Sequence, residues 1–306
     1  MEELDKELLL KVADLHEIPQ GAYNIRKNGK LLGRNCVKGI NITTKEDKPG
    51  IDIRVDENVV NQSVHIPVIV TEQNINDLVY NDFYIGKNSQ ILIVAGCGLH
   101  NPGSINNSHN GIHEFFIEEG AVVRYVEKHY AQGNQNVKKV LNPTTIIHLA
   151  QNSKFVMETI QIGGVSSSLR ETYATLEDNA SLEIKESILT DQEETATTKF
   201  TVDLNGKNSK VNIISRSIAK GNSSQQFISN VNGNNDARGH VECDAIVVDN
   251  GQVTSTPSLK NTNALAELSH EAYIGKIAGE QLVKLQTLGL TKKEAEEAIL
   301  KAFLNQ

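Results

Sequence analysis

Between about residues 88 and 214 the chain repeats one pattern: an Asn or Gly corner, a small residue, then a short strand whose apolar and polar positions alternate. It occurs in Asn88-Ser-Gln-Ile-Leu-Ile-Val, Glu119-Gly-Ala-Val-Val-Arg-Tyr, Asn152-Ser-Lys-Phe-Val-Met-Glu, Asn179-Ala-Ser-Leu-Glu-Ile-Lys and Asn208-Ser-Lys-Val-Asn-Ile-Ile. These corners recur at intervals of roughly 30 residues, a period expected of a solenoid. Asn tolerates left-handed backbone and bonds its own neighbours, so it can turn the same corner on successive coils. Leu182 and Ile184 alternate with Glu183 and Lys185, which turns one face in and one out. The pattern predicts a mainly β chain folded as a β-solenoid; a β-sandwich with coincidentally spaced hairpins is the alternative.

The two ends follow helical spacing instead. Over Glu2 to Leu15, Leu4, Leu8, Leu9 and Val12 share one face, and Pro19-Gln-Gly closes the segment. Near the C-terminus one helix ends at Leu288 before Gly289, and a second opens on the capping box Thr291-Lys-Lys-Glu294. The apolar stripe of that second helix is Ala295, Ala298, Ile299, Ala302 and Phe303. A solenoid needs its open end covered, so these helices either cap it or dock a partner. The expected organisation is a helix with leading strands over 1–60, a β-helix core over 61–265 and a helical segment over 266–306.

Composition narrows the function. The chain has 306 residues and a net charge of −8, against the basic surface a nucleic-acid binder needs. No apolar run is long enough for a membrane span. The acidic, amphipathic start is unlike a secretory signal, so a cytoplasmic protein is expected. There is no Trp and aromatics are 5%, which suits stacked short strands filled by β-branched side chains. Three widely spaced cysteines, Cys36, Cys97 and Cys243, form no CxxC pair and no full disulfide framework.

Each cysteine therefore has to be read singly. Cys243 lies in a strand pattern between His240 and Asp244, and a cysteine there is more often a small buried hydrophobe than a ligand. Downstream, Leu268-Ser-His-Glu-Ala272 sets an imidazole beside a carboxylate where the strand pattern gives way to helix. Thiolate, imidazole and carboxylate are ligand types for iron, but 27 residues separate Cys243 from His270, so only the fold can bring them together. The plainer reading of His270 and Glu271 is a solenoid cap with Ser269 as helix N-cap. Cys97 follows an apolar run and is as easily a buried structural thiol. His109 and the His113–Glu114 pair suggest a metal cluster, yet on a strand His113 and Glu114 face opposite ways, which favours a structural role. Arg124 reads as solvated.

The combination of Cys243-Asp244, Thr256-Pro257, Ser269-His-Glu-Ala-Tyr-Ile-Gly-Lys-Ile, Glu280-Gln-Leu, Leu288-Gly-Leu-Thr-Lys-Lys-Glu-Ala and Ala302-Phe303 resembles the C-terminal signature of the SufB/SufD family of Fe–S cluster assembly proteins. Upstream, Gly96-Cys97, His109, Glu114 and the run Val123 to Tyr125 are similar to that family's β-helix motifs, and the resemblance covers roughly residues 60 to 304. It implies a right-handed parallel β-helix whose C-terminal helices dock SufC, the ABC-type ATPase of the system. Leu282, Leu285, Leu288, Ile299 and Phe303 are the docking residues it suggests. It further implies a homodimer, or a heterodimer with a paralogue, holding a transient cluster, a [4Fe–4S] cluster by expectation, near the junction. The family's Cys-Asp cysteine falls on Cys243 and its His-Glu pair on His270 and Glu271, which become the expected metal and cluster ligands. Its internal Gly-Cys, proposed to handle sulfur, falls on Cys97. ATP and Mg²⁺ would enter only through the partner, so the chain itself is expected to be a non-enzymatic scaffold.

Departures from the family pattern are also visible. SufD-type members generally lack the Cys-Asp cysteine, so Cys243 sets this chain nearer SufB. The longer N-terminal region of SufB is missing, Cys36 has no counterpart, Tyr80 stands where many SufB chains carry arginine, and Glu127-Lys-His-Tyr replaces Gln-Asn-Trp. The competing readings are a SufD-like structural partner without cluster ligands and, less well supported without Trp, a carbohydrate-active β-helix enzyme.

Overall fold

A computed structural model describes residues 2–161 and 163–304. The strands wind into a β-solenoid of about eight turns, bearing out the expected class. One sheet runs through Ala22–Lys27, Gln62–Val70, Gln90–Asn101, Val122–Gly133, Lys154–Gln161, Ser181–Thr190, Lys210–Ala219, Arg238–Val247 and Glu267–Gly275, each parallel to the next. The other runs through Gly50–Val55, Asn76–Ile85, Asn107–Ile117, the pair Lys139–Leu141 and Thr144–Leu149, then Ser167–Leu176, Thr195–Leu204, Ser224–Gly233 and Gln252–Asn261. At the first end Lys30–Asn35 and Ile40–Thr44 join the two sheets antiparallel. From Gly50 onward successive coils align with offsets from 27 residues, as Lys154 on Ser181, to 32, as Val122 on Lys154, whereas the first strand aligns Ala22 with Val64 across a longer excursion.

The corners carry that regularity. Asn88, Asn152, Asn179 and Asn208 all have φ between 55° and 60°, and Gly120 takes the same place with φ 70°. Each is followed by a fully buried small residue, Ser89, Ala121, Ser153, Ala180 or Ser209. Side-chain amides link the corners, Asn208 donating to Asn179 and Asn179 to Asn152 at 3.1 Å each. Between the sheets, Phe83 stacks on Phe115 at 4.2 Å, and Tyr125, Phe155, Phe200 and Phe227 extend the apolar filling.

Helix α1 (Glu3–Ala13) lies on the outer face of the first sheet with Leu8, Leu9, Val12 and Ala13 fully buried. The strand beneath it has Gly96 and Gly98 on that face. A Cβ at Gly96 would run into the Val12 carbonyl oxygen, so glycine lets the helix settle against the strand backbone. Lys128 to Asp14 at 2.5 Å and Lys11 to the Tyr130 hydroxyl at 2.8 Å pin the helix end.

At the other end α2 (Gly279–Thr287) and α3 (Lys292–Leu304) form a hairpin around Gly289, φ 99°. Thr291 and Glu294 make the expected capping box: Glu294 N–H donates to Thr291 Oγ1, and Thr291 N–H to Glu294 Oε2. Two expectations are corrected here. Glu267–Gly275 is a full strand, because its backbone finds partners along Arg238–Val247, and helix begins only at Gly279. Ser269 therefore caps no helix; its hydroxyl meets His240 Nδ1 at 2.8 Å. Nor do the helices cover the open end. Helix α3 packs beside Lys210–Ala219, with Ser187 Oγ donating to the Leu304 carbonyl, while Leu259, Leu265, Tyr273 and Ile274 of the last coil stay 38–65% exposed.

Candidate functional site

Strand alternation assigns each candidate to a face. Cys243 points into the solenoid beside Val241 and Ala245, and is 1% exposed. Directly behind it in register stand Ser215, Glu186, Thr159 and Glu127, one per coil, an inward polar column. A facing column on the other sheet carries Arg170, Thr198, Phe227 and Ser255. The columns bond across the hollow: Arg170 pairs with Glu127, its Nε lies 3.7 Å from Glu186, and Thr198 and Ser215 donate to Glu186 at 2.9 and 2.8 Å. The seam continues to His129, 3.1 Å from Arg170, and through the Tyr125 hydroxyl to His113 at 2.7 Å.

Charges this deep persist only when paired and hydrogen-bonded. Burial pushes Glu127 up, but the Arg170 and His129 beside it outweigh that and hold its carboxyl well below the usual range. Glu186, farther from the guanidinium, is raised by burial despite Arg170 and its two hydroxyl donors. Burial pulls His129 down and His113 to about 4. Cys243 is pushed up to about 11, by burial first, with the negative charges of Glu186 and Asp244 adding to the rise. The sequence reading missed this seam, although Glu186 falls on the same inward parity as Leu182 and Ile184.

On the last strand His270 aligns with Val241, and Ala272 with Cys243, so His270 shares the inward face one step along from the thiol. Its Nε2 is buried with no hydrogen-bond partner among the described residues, and burial, then His240, lowers its pKa. Glu271 takes the opposite face, aligned with Glu242, where burial and Glu242 raise neighbouring Asp244. The fold thus brings Cys243 and His270 to one hollow and leaves Glu271 outside it. Among the described residues no three His, Cys, Asp or Glu side chains converge as a metal site.

The remaining candidates sort the same way. Cys97 is 2% exposed, packs with Val68, Leu99, Ala131 and Val165, and aligns with His129; burial, then Asp77 and Glu127, lifts its pKa well above the ordinary thiol value. His109 bonds Asp77 at 3.1 Å inside the solenoid, and Glu114 faces out to His148 at 3.0 Å, a structural pattern. Arg124 pairs with Glu158 on the surface, and Cys36 is exposed. Of the helical docking candidates, Leu288 is 72% exposed and Leu282, Leu285, Ile299 and Phe303 are half-buried. No described helix is long and apolar enough to cross a membrane.

Residues 73–303 match the family described as SUF system FeS cluster assembly, SufBD core domain. The chain is 28% identical over 284 residues to the iron-sulfur cluster assembly SufBD family protein PH0883 of Pyrococcus horikoshii, covering 90% of this chain and 85% of that one. An Archaeoglobus fulgidus protein of the same description is 28% identical over 90% of this chain and 73% of its own length. For MJ0034 of Methanocaldococcus jannaschii, likewise named, the figures are 25%, 93% and 90%. With its solenoid, polar seam and buried Cys243 in place, the chain belongs to the SufBD family of iron–sulfur cluster assembly proteins.

Proposed function

We propose that the chain is a scaffold subunit on which a nascent Fe–S cluster, of [4Fe–4S] type, is held at the junction of two subunits and from which it is released. The observation that carries this reading is the open last coil. There a buried thiol and an imidazole nitrogen with no partner among the described residues share one hollow next to a free sheet edge. Stable clusters generally use four thiolates. One Cys243 and one His270 per chain supply half a ligand set, and a second subunit, a like copy or a paralogue, supplies the rest across a two-fold axis. Glu271, on the outer face of that same strand, reaches the cluster at the junction itself. Cys97, at the other end of the seam, is the proposed sulfur-handling group.

The thiol is buried, so loading requires the last strand to move. That strand leads through residues 276–278 into α2, whose side chains are not buried. A SufC-like ABC ATPase gripping Leu282, Leu285 and Leu288, with Ile299 and Phe303 behind, pulls on the lid of the hollow. ATP and Mg²⁺ act in that partner, and the scaffold performs no catalysis of its own. Anaerobic reconstitution with iron and sulfide is expected to load the wild type and to fail in Cys243→Ser and His270→Ala; unchanged loading in both sinks the ligand assignment. A second reading, a SufD-like structural partner, draws support from the lack of a converged three-ligand group among the described residues. It predicts co-purification with the ATPase and no iron in the anaerobically isolated complex.

A further inference from the structure

We propose that Ser255 belongs to the same hollow, its hydroxyl donating a hydrogen bond to the Cys243 sulfur when that sulfur is a metal-bound thiolate. The inference rests on the scaffold reading and adds a positioning residue to it. A spacing of 12 residues across a solenoid corner repeatedly places two inward side chains opposite each other. Glu186 and Thr198 stand 12 apart and bond at 2.9 Å; His113 and Tyr125 stand 12 apart and bond at 2.7 Å. Cys243 and Ser255 have that spacing, on strands joined by the short corner 248–251, and each lies in register on the column already described.

Ser255 also has nothing else to do. Its Oγ is buried and has no hydrogen-bond partner among the described residues, although a buried hydroxyl left unpaired is costly. A neutral thiol is a poor acceptor, whereas a thiolate is a good one, so the pair is completed when Cys243 takes up metal. Such a bond draws charge from the sulfur, raises the cluster's reduction potential and weakens the iron–thiolate bond. Ser255 thus favours release over retention.

Ser255→Ala removes an unpaired buried hydroxyl from a half-exposed coil and is expected to melt at or above the wild-type temperature when metal-free and to keep the iron and sulfide content. Its reconstituted cluster should have a more negative midpoint potential and pass to an apo-ferredoxin several-fold more slowly, with Ser255→Thr restoring both. Cobalt(II) gives a readout without a cluster: the thiolate-to-cobalt charge-transfer band should move to lower energy in Ser255→Ala. Wild-type potential, transfer rate and cobalt band in Ser255→Ala overturn the proposal while leaving the scaffold reading standing. Full cluster loading by Cys243→Ser overturns the scaffold assignment and this proposal with it.

Discussion

Helix α1 and the α2–α3 hairpin are both amphipathic, yet the fold treats them oppositely. Helix α1 buries Leu8, Leu9, Val12 and Ala13 over a strand stripped to glycine at 96 and 98; in the hairpin only Ala295 is fully buried. The coils follow the same division. Buried polar atoms with no partner among the described residues occur at both ends, Arg26 Nε and His65 Nδ1 near the first, His270 Nε2 and Ser255 Oγ in the last coil, but only in the last coil do long strands lie open. One end is covered by the chain itself, and the other leaves apolar side chains and two long strand edges exposed.

Substitutions should divide along the same line. Arg170→Met strands two buried carboxylates and is expected to cost about 3–5 kcal/mol in urea unfolding; a cost below 1 kcal/mol would show the seam to be hydrated. Leu9→Ala should cost about 2–4 kcal/mol by loss of packing and the cavity left behind, measured the same way. His113, held neutral with its pKa near 4, binds fewer protons folded than unfolded between pH 6.5 and 4. Its contribution is therefore complete above pH 6.5 and lost as pH falls toward 4, about 3 kcal/mol in all. His113→Asn should flatten the urea midpoint over that window. Leu288→Ala at the unfinished end should change stability by less than about 0.5 kcal/mol while weakening ATPase binding in calorimetry; a large stability loss would mean the hairpin is part of the core.

Much of this was legible in the residues. The Asn corners, the helical face of α1 and the Thr291–Glu294 box are local features, set by backbone preference and hydrogen bonds to near neighbours, and the structure realises all three. The seam was hidden because Glu127, Arg170 and Glu186 look like ordinary surface charges until strand parity turns them inward and a residue 12 or 43 positions away answers them. The resemblance pairs Glu271 with His270, and the alternation that sets His113 and Glu114 on opposite faces sets these two apart as well. The strand character of 267–275 is obscured for a related reason: at the edge of its sheet the strand, like Gln252–Asn261, lacks the buried inward stripe of the inner coils.

The antiparallel strands Lys30–Asn35 and Ile40–Thr44 reverse the winding at the first end and are only six and five residues long, whereas the last coil offers strands of ten and nine. A unit with two long free edges would add copies head to tail into a filament. This one has its long edges at one end alone, so the proposed pairing of two units there would use up both at once and stop at two.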